Sequence, residues 1–153
     1  MGMNLSLKSL IYESCASYLQ KRFEVMEHRL NELNDSLEAE TKSSVGDKYE
    51  TGRAMLHLEK DKQMQQLAVL LKHKKQLHGI NPSTEYTMVE QGALVQTNQG
   101  SFYLSIPLGK LSVEGKTYFA ITLASPIGQL LFQKKVGAKF EFRGRTYVLA
   151  ALI

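Results

Sequence analysis

Residues 43–50 read Ser-Ser-Val-Gly-Asp-Lys-Tyr-Glu, and they interrupt a long helix-forming segment near its middle. The small polar residues and Gly46 disfavour a continuous helix at this point. Ser44 lies three residues before Asp47, a spacing typical of the capped start of a new helix. The stretch therefore predicts the tip of an antiparallel helical hairpin.

The segment before the tip has the apolar spacing of a coiled coil. Residues 5–40 contain neither Pro nor Gly. Their apolar residues are separated by alternating steps of three and four, namely Leu19, Phe23, Met26, Leu30, Leu33 and Leu37. A helix of this length cannot bury such a stripe alone, so we expect it to pack on a partner helix.

The partner helix is predicted from about residue 47 to residue 77. Its apolar stripe is weaker and consists of Met55, Leu58, Met64, Leu67, Leu70, Leu71 and Leu77. Gly52 inside this arm costs about 1 kcal/mol relative to Ala. Gly79 and Pro82 follow the stripe and are typical of a helix end.

Beyond residue 83 the apolar period changes to that of β-strands. Strand patterns separated by turn residues lie at 92–97, 101–106, 117–122, 140–142 and 147–152. Ser125 and Pro126 predict the cap and first residue of a short helix. We predict an α+β chain. It has a long antiparallel coiled-coil hairpin at 1–80, with its acidic tip at 43–50, and a small antiparallel sheet domain of about five strands at 81–153.

Composition and charge narrow the class of protein. The chain has 153 residues, 43% of them hydrophobic, and a net charge of +4. The charge is uneven, because residues 1–52 carry −3, residues 53–80 carry +4 and residues 81–153 carry +3. Opposite charges favour pairing of the two arms and leave basic groups for a polyanion, although the excess is too small to imply binding of free DNA.

No apolar run approaches the roughly 20 residues of a membrane span. The single Cys15 cannot form an internal disulfide, so we expect a reducing cytoplasm.

Asp47 and Glu50 are the residues with the clearest chemical interest. Three residues apart on a helix, they point to the same side. On spacing alone they are most simply first-turn acids, which are favourable at a helix N-terminus, although such a pair can also share one metal ion. Two carboxylates alone bind Mg²⁺ weakly, because this ion keeps its waters and prefers phosphate co-ligands. A metal role would therefore require further ligands from a partner. The four histidines have no ligand spacing and predict no zinc site.

Two stretches resemble the Gre-type transcript-cleavage factors of bacterial RNA polymerase. Residues 124–131, followed by Lys-Lys-Val-Gly at 134–137, Phe-Glu-Phe at 140–142 and Tyr147, resemble that family's closing motif. Residues 46–50 resemble its Gly-Asp-x-x-Glu tip. After the tip the family usually continues with an Asn-Ala-Glu-Tyr-like run, whereas Thr-Gly-Arg-Ala stands here at 51–54.

The resemblance implies a coiled-coil hairpin, an FKBP-like C-terminal domain and the function of a transcript-cleavage factor. Asp47 and Glu50 would enter the secondary channel of RNA polymerase and help to hold a catalytic Mg²⁺ shared with the polymerase active site. There they would stimulate cleavage of backtracked RNA, with no small-molecule substrate and no enzymatic activity of the chain itself. Ser125, Pro126 and Ile127, besides starting a helix, would lie where the family docks on the polymerase.

Side chains near the tip could contact the 3′ end of the extruded RNA, because phosphate contacts require no sequence code. The candidates are Arg53, one turn after Glu50, and Lys60, although either could belong to an ordinary solvated lysine-rich face. Tyr49 could stack on a nucleotide or simply cover the tip.

Other functions fit parts of the sequence. A regulator could dock in the same way and occupy the channel without cleavage, since the residues after Glu50 are altered. A coiled-coil adaptor would have no affinity for polymerase. A prolyl isomerase is disfavoured, because the second half has no tryptophan and its pattern shows no evident aromatic-lined pocket.

Overall fold

The computed structural model describes residues 3–42 and 47–153, and for residues 41, 42 and 47–50 it describes the backbone only. It contains two long helices, α1 (Leu5–Lys42) and α2 (Asp47–His78), then six strands and a short helix α3 (Pro126–Leu131). The predicted α+β class is confirmed. None of the described helices combines the length and apolar character needed to cross a membrane.

Contacts divide the chain into two compact units. Tyr18–Lys72 form one, which we call the helical unit; Met1–Ser17 and His73–Ile153 form the other, which we call the sheet unit. The sheet unit thus includes the first turns of α1 and the last turn of α2. The predicted domain limit at residue 80 stays a prediction.

In the helical unit, the predicted seam of α1 is confirmed by burial. Leu19, Met26 and Leu37 are buried, and the seam residues between them are half-buried. The two helices run antiparallel, because Ser36 lines a shallow depression with Glu59 while Glu40 lies against Gly52. Each step back along α1 is therefore a step forward along α2.

The predicted stripe of α2 is partly wrong. Four of its members are exposed, namely Met55, Leu58, Met64 and Leu71. The residues that turn inward in this unit are Leu56, Gln63, Leu67 and Leu70. A two-helix seam is a narrow strip that repeats every three or four residues. Apolar residues outside this strip stay in solvent, whereas Gln63 falls inside it despite being polar.

The sheet has six strands in the order β3-β4-β2-β1-β6-β5. Their bounds are Leu94–Thr97 for β1, Gly100–Leu104 for β2, Gly109–Val113 for β3, Lys116–Ile121 for β4, Lys139–Phe142 for β5 and Arg145–Leu152 for β6. The prediction of an antiparallel sheet of about five strands is therefore corrected in two respects. β3 is an additional strand, and β2 pairs with β4 in parallel.

The parallel pair follows from the position of β3. β3 lies at the edge of the sheet, and the turn at 114–115 folds β4 back between β3 and β2. Two reversals of direction give β4 the direction of β2. The alternation of side chains along a strand shows its two faces but not its neighbours, so this order could not be read from the sequence.

A helix packs on each face of the sheet. On one face, Leu7 and Leu10 of α1 line a groove with Tyr118. On the other, Leu131 of α3 belongs to the buried apolar cluster that includes Phe102 and Leu149. α3 is thereby fixed to the sheet through its buried side.

Candidate functional site

The structure places the two acids of the predicted tip at the start of α2. Asp47 is the first residue of the helix and Glu50 is the fourth. The side chains of Asp47, Glu50 and Tyr49 lie outside the described residues, as does the connection 43–46. The backbone assignment leaves the metal and RNA roles of these residues as predictions. It puts both acids within the first turn, where the helix dipole favours negative charge.

The described residues nearest to the tip explain why a glycine stands in the first turns of α2. A Cβ on Gly52 would lie 2.9 Å from Oε1 and 3.2 Å from Oε2 of Glu40. The missing side chain therefore makes room for a carboxylate of α1. The result is that a third acid, Glu40, lies against the helix turn that follows Glu50.

The predicted RNA-contacting residues differ in exposure. Arg53 is exposed, whereas Lys60 is half-buried and lies in line with the inward residues Leu56 and Gln63. The stem of Lys60 is thus partly covered by the helix pair, as is common for long basic side chains. Arg53 is therefore accessible to a partner, and its contact with RNA stays a prediction.

No group of three or more His, Cys, Asp or Glu side chains that could hold a metal ion occurs among the described residues. Instead, Nε2 of His28 lies 3.1 Å from Oε1 of Glu32, one helical turn away, and both side chains are well exposed. The side chains of Asp47 and Glu50 are not among those described. A Mg²⁺ role for Asp47 and Glu50 stays a prediction. It would require further ligands from a partner, because two carboxylates alone bind Mg²⁺ weakly.

The predicted start of α3 is confirmed. Ser125 caps the helix: its Oγ accepts from the backbone N–H of Gly128 at 3.1 Å and donates to the carbonyl oxygen of Thr122 at 2.7 Å. Pro126 is the first helical residue and is exposed, whereas Ile127 packs on the apolar core. Of the three predicted docking residues, only Pro126 has a side chain that is not already engaged within the protein.

At the end of α3 the structure exposes apolar side chains that the sequence analysis does not predict as a contact surface. Leu130 is 37% exposed and Phe132 is 44% exposed. Phe132 also lines a depression of about 360 Å³ with Leu123, Ala124 and Gln129. Leu130 follows Pro126 by four residues, a spacing that places both on one side of the helix and could have indicated this surface.

The sheet unit also buries a lysine. The ammonium group of Lys8 donates to the carbonyl oxygens of Thr84 at 2.6 Å and Ile153 at 3.1 Å, and lies 4.5 Å from the ring centroid of Tyr86. Lys8 is fully buried. Burial lowers the pKa of Lys8 to about 8, against a smaller raising effect of Glu85. This contact joins α1 to residues far along the chain.

Cys15 and Tyr103 lie in the same buried region. Burial raises the pKa of the Cys15 thiol to about 12, against a smaller lowering effect of a hydrogen bond with Ser105. Burial, followed by the nearby Cys15, Tyr12 and Tyr86, also raises the pKa of Tyr103. Cys15 is therefore a protonated, buried thiol, which does not favour a nucleophilic role.

Comparison with known proteins gives a distant likeness among solved structures. No protein-family model matches the chain, and no curated protein matches it either. The chain is similar to the structure of the transcription factor Gfh1, with 18% identity and a TM-score of 0.34 over 91% of this chain and 93% of that chain. A likeness of this size carries no functional conclusion.

Proposed function

We propose that the chain is a Gre-like transcription factor that binds bacterial RNA polymerase through its sheet unit and inserts the hairpin tip into the secondary channel. There it stimulates the polymerase's own cleavage of backtracked RNA. The observation that carries the proposal is the placement of Asp47 and Glu50 in the first turn of α2, directly after the short connection between two long antiparallel helices. The sequence resemblance at the tip and in residues 124–147 supports the same class.

The chemistry proposed for the tip is electrostatic. Asp47 and Glu50 would complete the coordination of a Mg²⁺ ion whose other ligands come from the polymerase and the RNA phosphate. The ion would orient a water for in-line attack and stabilise the charge of the leaving oxygen. Arg53, exposed one turn further along α2, would contact RNA phosphate near the 3′ end.

The test is RNA length in a purified backtracked elongation complex. We expect the wild-type protein to shorten the transcript. With Asp47→Ala/Glu50→Ala, the rate of stimulated cleavage is expected to fall at least 100-fold, because both proposed metal ligands are removed. Glu24→Ala/Glu27→Ala is the matched control, because it also removes two negative charges, but from the exposed face of α1. Undiminished cleavage by the Asp47/Glu50 variant would refute the proposed role of the tip.

A second candidate is a channel-occupying regulator that does not stimulate cleavage. Two features favour it: Thr-Gly-Arg-Ala replaces the family's usual run at 51–54, and the carboxylate of Glu40 occupies the space beside Gly52. An additional carboxylate beside Gly52, two residues after Glu50, would compete for the ion and disfavour the cleavage geometry. Slower nucleotide addition without shortening of the RNA would identify this activity.

Docking is proposed to use the exposed apolar side chains at the end of α3, Leu130 and Phe132. Leu130→Ala/Phe132→Ala is expected to weaken polymerase binding about tenfold, since both side chains are exposed and their burial against a partner would be lost. Binding is measured by titrating labelled protein with polymerase. Leu10→Ala is the control, because Leu10 is similarly exposed at 43% but lies on α1. Equal affinities for wild type and the double variant would exclude this surface.

A further inference from the structure

The face of the sheet that carries α3 also carries a row of aromatic rings. Phe119 and Phe102 have ring centroids 5.9 Å apart, and Phe102 lies 6.3 Å from Tyr147. Tyr147 stacks on Phe140 at 5.1 Å with an interplanar angle of 6°, and meets Phe142 edge-on at 6.3 Å. The row runs from β4 to β5, which are four strand spacings apart, or roughly 19 Å.

The helix on this face is too short to cover the row. α3 has six residues and is therefore about 9 Å long, whereas six strands side by side span roughly 24 Å. The two central rings, Phe102 and Tyr147, are buried as part of the core. Phe119, Phe140 and Phe142 are only half-buried. The two ends of the aromatic row thus keep ring surface in solvent.

Basic side chains flank both ends of this row. Lys110 is the cross-strand partner of Phe119, and Arg145 is the partner of Phe142, so each shares the face of its aromatic neighbour. The guanidinium of Arg143 lies over the Phe142 ring, 4.9 Å from its centroid. All three basic residues are exposed.

No carboxylate among the described residues neutralises these two arginines. Neither Arg143 nor Arg145 makes an ion pair with any carboxylate in the part of the chain that the structure describes. Glu141, the acid nearest to them in sequence, precedes Phe142 on β5 and therefore points to the opposite face. The end of the sheet at β5 consequently presents two uncompensated positive charges beside partly exposed rings.

We propose that this aromatic and basic face binds single-stranded nucleic acid. Bases would stack on the exposed parts of Phe119 and Phe142, since every base has a π-face, and the phosphates would contact Lys110, Arg143 and Arg145. Such binding depends on charge and stacking rather than on sequence. The charge complementarity favours a polyanion over a proline-rich peptide, which needs aromatic surface but no cluster of arginines. The activity is independent of the function proposed above.

Binding is measured without polymerase, by fluorescence anisotropy of a labelled single-stranded RNA about 12 nucleotides long, within the usual range of site sizes, and of DNA with the same sequence. We expect Arg143→Ala/Arg145→Ala to weaken binding at least tenfold. It should also make the slope of log affinity against log salt shallower by about 1.4, which corresponds to two lost phosphate contacts. Lys116→Ala/Lys139→Ala is the control, because strand alternation places both lysines on the other face of the same sheet.

Stacking is tested separately with Phe119→Leu, which keeps an apolar side chain against Phe102. We expect at least fivefold weaker binding with the salt slope unchanged, since no phosphate contact is lost. Thermal unfolding shows whether this variant is folded; if it is not, the change in salt slope of the arginine variant decides.

Three outcomes would overturn the proposal. One is equal weakening by the arginine variant and its lysine control. Another is loss of all binding by Arg53→Ala/Lys60→Ala, which would place the nucleic acid on α2. The third is displacement of the oligonucleotides by a proline-rich peptide that binds more tightly than either of them. Because polymerase is absent, failure here leaves the cleavage proposal untouched, and failure of the cleavage assay leaves this proposal untouched.

Discussion

Replacing Gly128 by Ala is expected to lower the free energy of unfolding by about 3 kcal/mol, and to abolish binding to RNA polymerase if the chain docks as proposed above. A Cβ at this position would overlap the carbonyl oxygen of Thr122 and would lie 3.0 Å from the Cα of Leu123. These are backbone atoms, which cannot rotate away as a side chain can. α3 would have to move off the sheet, and its fully buried Leu131 would lose core contacts.

The measurement is urea unfolding followed by circular dichroism, with polymerase binding determined for the same samples. Gly79→Ala is the matched control in the same unit, because its Cβ would lie 3.4 Å from the nearest atom, the carbonyl oxygen of Gln76. We expect the control to stay within about 1 kcal/mol of wild type. A Gly128→Ala protein as stable as the control would show that α3 is free to move away from the 122–123 backbone without loss of packing.

The second large effect concerns pH. Between about pH 8 and pH 10 the free energy of unfolding of Cys15→Ala is expected to rise by about 2 kcal/mol, while that of the wild type rises by less than about 1 kcal/mol. The pKa of Lys8 falls from an ordinary 10.5 to about 8 on folding. In this range the unfolded state therefore binds more protons at Lys8 than the folded state, and stability increases with pH.

Cys15 acts in the opposite direction. Its pKa rises from 9.0 to about 12 on folding, so the folded state keeps a proton that the unfolded thiol loses, and stability falls above about pH 9. In the wild type the effects of Lys8 and Cys15 on the free energy of unfolding largely cancel. Removing the thiol leaves the increase in this free energy that is due to Lys8. The raised pKa of Tyr103 lowers stability above about pH 10 in both proteins.

Urea unfolding at several pH values measures these differences. Lys8→Met is the control, because it lacks the titrating ammonium group, and its stability is expected to fall steadily above about pH 9. A parallel pH dependence of wild type and Cys15→Ala would contradict the burial of the thiol. A rise that persists in Lys8→Met would show that another group titrates.

Several features of the candidate site are predictable from a few neighbouring residues. The cap of α3 by Ser125, with Pro126 as its first residue, depends on residues within a single turn and was predicted correctly. The same holds for the end of α2 before Gly79. The local signal did not show that the Ser125 hydroxyl and the Ile127 side chain would be used internally, because their partners are set by how α3 packs on the sheet.

The sequence by itself determined the two long helices, the seam of α1, the end of α2 and the start of α3. These features depend on apolar period, capping and helix-breaking residues, which act over a few positions along the chain. The tertiary structure alone decided that β2 and β4 are parallel, that Gln63 rather than Met64 turns inward, and that Lys8 is buried. It also brought Phe119 and Phe142 onto one face. Such features depend on which distant segments pack together, and the burial of apolar surface that drives this packing is not directional.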